Sequence, residues 1–67
     1  MIVFPNIEKE RERIGLSKKE LVKKLGVTRR SYYNWIGGKN PIPSDVLIKI
    51  SDITGASIDY LLGKTKN

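Results

Sequence analysis

Two helix starts lie close together in the segment LSKKELVKKLGVTRRSYYNW, residues 16–35. Ser17 and Glu20 have the spacing of a capping box, in which the side chain of each residue binds the backbone amide of the other. Gly26 is typical of the left-handed residue that ends a helix, and Thr28 can cap a second helix only two residues later. A link this short prevents the two helices from lying antiparallel. The segment therefore predicts two successive helices joined by a tight turn.

The absence of cysteine and histidine limits how this chain of 67 residues can be stabilised. A disulfide needs cysteine, and a structural zinc cluster needs cysteine or histidine. A domain this small must therefore rest on apolar packing, for which helical compaction is the economical solution. No stretch alternates for long enough to predict a strand. We predict an all-α fold in a single domain, residues 1–67, with no metal ion and no cofactor.

Caps and apolar spacing predict five short helices, at about residues 6–14, 17–25, 28–36, 44–54 and 57–62. Asn6 is expected to cap the first helix and Ser57 the fifth. The composition of GGKNP predicts a loop after the third helix, and the final KTKN is expected to be a frayed tail. The residues expected to form the apolar faces are Ile7, Ile14, Leu21, Leu25, Val46, Leu47, Ile50 and Ile53.

The third predicted helix has two chemically different sides. At about 100° per residue, Tyr32 and Trp35 fall on one side, whereas Arg30, Tyr33 and Asn34 fall on the opposite side. A core this small needs the large apolar area of a tryptophan. We therefore expect Tyr32 and Trp35 to be buried and the opposite side to face outward.

Positive charge is concentrated in residues 18–39, which hold seven Lys and Arg residues but one Glu. This concentration suits a polyanionic partner, although a solvated lysine-rich face would have the same composition. Arg29 and Arg30 stand at the start of the third helix, where the helix dipole disfavours an exposed cation by about 0.3–1 kcal/mol. A partner that supplies negative charge would explain this placement.

Taken together, these motifs resemble the phage repressor and Cro family of helix-turn-helix regulators, also called the xenobiotic response element family. The resemblance covers residues 4–63 and is carried by IGLS, ELVKKLGVTRRSYYNW, GKNP and GASIDYLLG. It implies a compact five-helix bundle of the lambda-repressor-like type, with a helix-turn-helix whose recognition helix, residues 28–36, enters the major groove of DNA.

The resemblance also implies which residues contact DNA. By the family pattern, Arg29, Arg30 and Asn34 occupy positions that reach base edges. Lys18 lies against the DNA backbone, and the loop residues Lys39 and Asn40 continue that contact. Tyr33 can offer its hydroxyl to a phosphate or its ring edge to a thymine methyl group, or it can be an ordinary exposed residue. The complete predicted set is Lys18, Thr28, Arg29, Arg30, Ser31, Tyr33, Asn34, Lys39 and Asn40.

One position departs from the family pattern. Members of the family often carry a glutamate directly after the residue that matches Trp35, and this glutamate pairs with an arginine of the first helix. Here the arginine is present as Arg11, but Ile36 takes the acidic position. A buried arginine is costly without a partner. Arg11 is therefore expected either to find another acceptor, for which Asp45 is our candidate, or to turn to solvent.

These features predict a sequence-specific regulator of transcription that binds double-stranded DNA, of the repressor type found in phages or other mobile elements. The alternative is an antitoxin-like or adaptor module that uses the same fold to bind a protein, and the two functions can coexist. An enzyme is not expected. Glu8, Glu10 and Glu12, the densest acidic group, are interpreted as part of an exposed first helix of mixed charge.

The operator is expected to be pseudo-palindromic and the protein to be a homodimer at least on DNA, because a single helix-turn-helix covers only a few base pairs. Ile58, Leu61 and Leu62 of the fifth helix could form the dimer contact, or they could close the core. The amino-terminal sequence predicts neither a signal peptide nor a membrane span. We expect a cytoplasmic protein without a membrane partner or a small-molecule ligand.

Overall fold

The computed structural model describes residues 4–63. Within this range the chain forms five helices and no strand, which confirms the predicted all-α class. The predicted tail KTKN lies outside the described residues. The helices are α1 (Pro5–Arg13), α2 (Lys18–Leu25), α3 (Arg29–Ile36), α4 (Ser44–Thr54) and α5 (Ile58–Leu61).

The turn between α2 and α3 has the predicted chemistry. The Ser17 hydroxyl accepts a hydrogen bond from the backbone amide of Glu20, and the Glu20 carboxylate accepts one from the amide of Ser17. Gly26 ends α2 in the left-handed conformation, with φ at 72°. Thr28 then caps α3 by accepting a hydrogen bond from the amide of Ser31. Three local signals therefore fix where both helices of the pair begin and where the first ends.

The first helix begins differently from the prediction. Phe4 occupies the cap position, with no side-chain cap, and Pro5 is the first helical residue. The predicted cap at Asn6 is wrong because its side-chain amide donates instead to the carbonyl oxygen of Tyr60, at 2.7 Å. A proline in the first turn loses no helical hydrogen bond, so α1 can start without a polar cap. Asn6 thereby ties the start of α1 to α5.

The core lies where the five helices meet. Tyr32 is fully buried and Trp35 is 9% exposed, as predicted from the two sides of α3. Leu61 is also fully buried, and Ile58 and Leu62 pack against the same cluster, so the α5 residues close the core. The buried apolar residues are Phe4, Ile7, Leu21, Val22, Leu25, Tyr32, Trp35, Val46, Leu47, Ile50 and Leu61.

The acidic residues of α1 are not uniformly exposed, which corrects the interpretation of Glu8, Glu10 and Glu12. Glu10 is buried, and its carboxylate lies 2.8 Å from Nε of Arg13. The Glu8 side chain is 24% exposed, whereas that of Glu12 is 69% exposed. Of these three glutamates, Glu12 is therefore the one with the mainly exposed side chain. No helix in the range 4–63 has the length and apolar character that crossing a membrane requires.

Candidate nucleic-acid interface

The outer side of α3 carries the polar residues that the sequence predicted there. Tyr33 is 46% exposed, Arg29 and Arg30 are exposed, and Asn34 is half-buried. Arg30, Tyr33 and Asn34 follow one another at i, i+3 and i+4, so their side chains leave the helix on one face. We call this face, together with the residues joined to it below, the α3 surface. Its members are Lys18, Thr28, Arg29, Arg30, Ser31, Tyr33, Asn34, Lys39 and Asn40.

Thr28 and Ser31 form a small hydroxyl network at the start of α3. The Thr28 oxygen accepts from the Ser31 amide at 3.1 Å and donates to the Ser31 hydroxyl oxygen at 3.0 Å. The single hydroxyl proton of Thr28 is therefore used within the protein. The Ser31 hydroxyl keeps its own proton for an outside acceptor. Of the two, Ser31 is the better placed to donate to a ligand.

Lys18, the first residue of α2, lies beside α3 and contributes to the α3 surface. Its ammonium nitrogen lies 5.4 Å from the centre of the Tyr33 ring, which is within the range of a cation–π contact. The same nitrogen is 3.7 Å from a carboxylate oxygen of Glu8. Lys18 is therefore held beside the exposed tyrosine rather than directed away from it.

The loop after α3 folds back onto the last turn of the helix. The backbone carbonyl of Asn34 accepts hydrogen bonds from the amides of Lys39, at 2.9 Å, and Asn40, at 3.2 Å. Gly38 makes this reversal possible with φ at 79°. At Gly37 a Cβ atom would lie 3.0 Å from the carbonyl oxygen of Tyr33, so the close return also favours glycine there. The structure thus brings Lys39 and Asn40 to the same end of α3 as Asn34.

The start of α3 concentrates positive charge without local compensation. Arg29 and Arg30 occupy the first two positions of the helix, and its first turn has no acidic residue. Among residues 4–63, neither arginine forms an ion pair with a carboxylate. The helix dipole adds further positive potential at this end. An anionic ligand would therefore be attracted to these two exposed arginines.

Arg11 pairs with Glu8, so the predicted partner Asp45 is wrong. Nε and Nη2 of Arg11 lie 3.0 and 3.1 Å from the two Glu8 carboxylate oxygens, and Nη1 donates to the carbonyl of Leu16 at 2.6 Å. Glu8 is one helical turn before Arg11, which satisfies the guanidinium without any acidic residue at Ile36. The spacing of Glu8 and Arg11 was the available signal, but the interpretation of Glu8 as an exposed residue of a mixed-charge helix did not use it.

Glu8 also accepts a hydrogen bond from the hydroxyl of Tyr32, and this bond joins α1 to α3. Burial raises the pKa of the Glu8 carboxyl, but hydrogen bonds from Arg11 and Tyr32 and the nearby charge of Lys18 outweigh it and lower the pKa overall. Burial and the bond to Glu8 raise the pKa of the Tyr32 hydroxyl. The pair is therefore an ionised carboxylate and a neutral phenol beneath the α3 surface.

A five-helix bundle with a capped α2, a left-handed glycine turn and an outward-facing polar α3 defines a helix-turn-helix protein. The chain belongs to the helix-turn-helix family, whose model matches residues 7–61. This match confirms the resemblance to the phage repressor and Cro type.

Two curated relatives come from Bacillus subtilis (strain 168). The HTH-type transcriptional regulator ImmR is 31% identical over 64 residues, which are 96% of this chain and 50% of that protein. The uncharacterized HTH-type transcriptional regulator YqaE is 36% identical over 62 residues, 92% of this chain and 53% of that protein. The chain thus spans about half the length of these relatives.

Proposed function

We propose that this protein is a sequence-specific transcriptional regulator that binds double-stranded DNA, of the repressor type found in phages and mobile elements. The main support is the α3 surface, where two uncompensated arginines precede an exposed polar face on the second helix of a helix-turn-helix. Both relatives are named HTH-type transcriptional regulators, which agrees with the proposal. Such a protein would act in the cytoplasm, where its operator lies.

Base reading is assigned to α3. Arginine reads guanine with two hydrogen bonds and asparagine reads adenine in the same way, each worth about 1–3 kcal/mol of discrimination. Arg29, Arg30 and Asn34 are therefore assigned the base-edge contacts that determine which operator sequence is bound. Tyr33, beside Arg30 and Asn34 on the same face, is assigned to a thymine methyl group or a neighbouring phosphate.

Backbone contact is assigned to the two ends of the α3 surface. Lys18 stands beside Tyr33 at one end, and Lys39 with Asn40 follows the last turn of α3 at the other. Ser31 adds its hydroxyl proton. Contacts to phosphate fix the orientation of a protein on the duplex without carrying sequence information. In this division of roles Thr28 acts mainly as the helix cap.

Two copies are proposed to bind a pseudo-palindromic operator, with half-sites about 34 Å apart. Because Leu61 is buried and Leu62 is half-buried, α5 offers little free apolar area for a strong dimer contact. We therefore propose that dimerisation of these 67 residues is completed on DNA. Sedimentation with and without an operator duplex tests this, and one protein per palindromic duplex at saturation would contradict it.

The proposed function is tested by selecting bound sequences from random duplex DNA at two salt concentrations. We expect an enriched half-site that contains at least one G·C pair and survives at the higher salt. Binding that is equal for all sequences would contradict a sequence-specific regulator. Absence of DNA binding at low salt would favour a module that binds protein instead.

A further inference from the structure

Glu8 contacts Lys18 of the α3 surface without belonging to that surface. Its carboxylate receives the Arg11 guanidinium from its own helix and the Tyr32 hydroxyl from α3. It also faces the ammonium of Lys18, the first residue of α2, at 3.7 Å. One carboxylate therefore touches α1, α2 and α3, and it does so next to a residue assigned to phosphate contact.

The carboxylate is itself held in place. Arg11 binds both of its oxygens and is anchored in turn to the carbonyl of Leu16 at 2.6 Å. Tyr32, which adds the third contact, is fully buried. Tyr32 is part of the core, and the Arg11 side chain is only 11% exposed, so both partners are fixed around Glu8. Lys18, whose side chain is 38% exposed, is the one partner that is free to leave.

The Lys18 ammonium has two attractive neighbours. A carboxylate oxygen of Glu8 lies 3.7 Å from it, and the centre of the Tyr33 ring lies 5.4 Å from it. If the carboxylate were neutral, Lys18 would face the Arg11 guanidinium with no anion between them, and the two cations would repel. The lysine would then lose its ordered position beside Tyr33.

We propose that Glu8 is a positioning residue for DNA binding, which holds the Lys18 ammonium in place beside Tyr33 before a backbone phosphate replaces the carboxylate as its partner. This proposal rests on the proposed function. A long side chain that is already ordered in the free protein loses less conformational entropy when the complex forms. Removal of Glu8 should therefore weaken DNA binding, although loss of a negative charge near DNA would by itself strengthen it. Loss of positioning and loss of charge repulsion therefore predict changes of opposite sign in the affinity for DNA.

The test compares Glu8→Gln with Glu12→Gln on the selected operator at fixed salt. Glu12 contacts the same arginine, at 3.4 Å, but touches neither Lys18 nor Tyr32. We expect Glu8→Gln to bind about two- to fivefold more weakly than the unmodified protein, as for loss of one ordered, partly exposed charge contact. Glu12→Gln should bind equally or more tightly. Unchanged or tighter binding by Glu8→Gln overturns the proposal.

A double-substitution cycle separates positioning from general damage to the fold. If Glu8 acts through Lys18, Glu8→Gln should have less than a twofold effect once Lys18→Met is present. An equal effect in both backgrounds would mean that Glu8 acts elsewhere. Circular dichroism at the binding temperature checks that each variant is folded.

NMR relaxation of the lysine ammonium groups in the unmodified protein adds a test that needs no variant. The ammonium of Lys18 should be more ordered than that of Lys19, its exposed neighbour on α2. Equal mobility of the two overturns the proposal even if Glu8→Gln does not fold. Failure of the unmodified protein to bind any duplex would instead contradict the proposed function, and the relaxation comparison would be unaffected.

Discussion

Arg13 donates a hydrogen bond to the backbone carbonyl of Thr54 at 2.6 Å and joins the end of α1 to the end of α4. Its Nε also lies 2.8 Å from the carboxylate of Glu10, which is buried. The last carbonyls of a helix have no partner within the helix, so a cation at this place both satisfies one of them and complements the dipole of α4. Arg13 thus stabilises the end of α4 and pairs with a carboxylate of α1.

Arg13→Ala is expected to lower the free energy of unfolding by about 1–3 kcal/mol, because hydrogen bonds to charged groups are lost and a buried carboxylate remains without its partner. Urea unfolding followed by the fluorescence of Trp35 measures the change. Glu10→Leu in the same chain should restore much of the loss, since it removes the unpaired carboxylate. Lys9→Ala, at an exposed position of α1, is the matched control, and an equal effect of Lys9→Ala would contradict this role for Arg13.

Gly26→Ala is expected to cost about 1–2 kcal/mol of unfolding free energy, because the turn between α2 and α3 holds this residue at a φ of 72°. A Cβ atom at Gly26 meets no other atom within 4 Å, so the cost would come from the backbone alone. Asparagine tolerates the left-handed region better. Gly26→Asn should therefore lose less stability than Gly26→Ala in the same unfolding assay, and the reverse order would argue against a backbone origin.

Acid should destabilise the fold partly through Glu8. Since the pKa of this carboxyl lies below its ordinary value of 4.5, the ionised form is favoured in the folded state. Its contribution to stability is present above about pH 4.5 and is lost as the pH falls through the folded-state pKa. Unfolding free energies measured between about pH 3 and pH 7 should therefore fall less steeply below pH 4.5 in Glu8→Gln than in the unmodified protein. Parallel curves would contradict this assignment.

Substitutions of Arg30 and Lys39 should have different effects on DNA binding. Arg30→Ala is expected to relax the preference at one base pair at a cost of about 1–3 kcal/mol, because a base-edge contact is lost. Lys39→Ala should weaken all sequences alike and reduce the slope of log K against log salt by about one unit. Competition binding at several salt concentrations measures both effects. Lys49→Ala, an exposed lysine of α4 outside the α3 surface, is the control and should leave the base preference unchanged.

Where the helices of the α2–α3 turn begin and end could be read from the sequence, because each signal acts within a few residues. Ser17 bonds Glu20, Thr28 bonds Ser31, and Gly26 adopts the conformation that its lack of a side chain permits. The two sides of α3 were equally predictable, since the period of a helix alone places neighbouring residues on opposite faces.

The partners of the longer polar side chains could not be predicted in this way. Asn6 is bound to Tyr60, 54 positions away in sequence, and Arg13 to Thr54, 41 positions away. Such a side chain can reach several acceptors, and the packing angle of the helices decides which one lies at about 3 Å. Capping signals, apolar spacing and composition were enough to predict five helices, the turn between α2 and α3 and the positive charge of the α3 surface. The hydrogen bond from Tyr32 to Glu8 could not be predicted, because it is the packing of α1 against α3 that brings these side chains together across 24 positions of the chain.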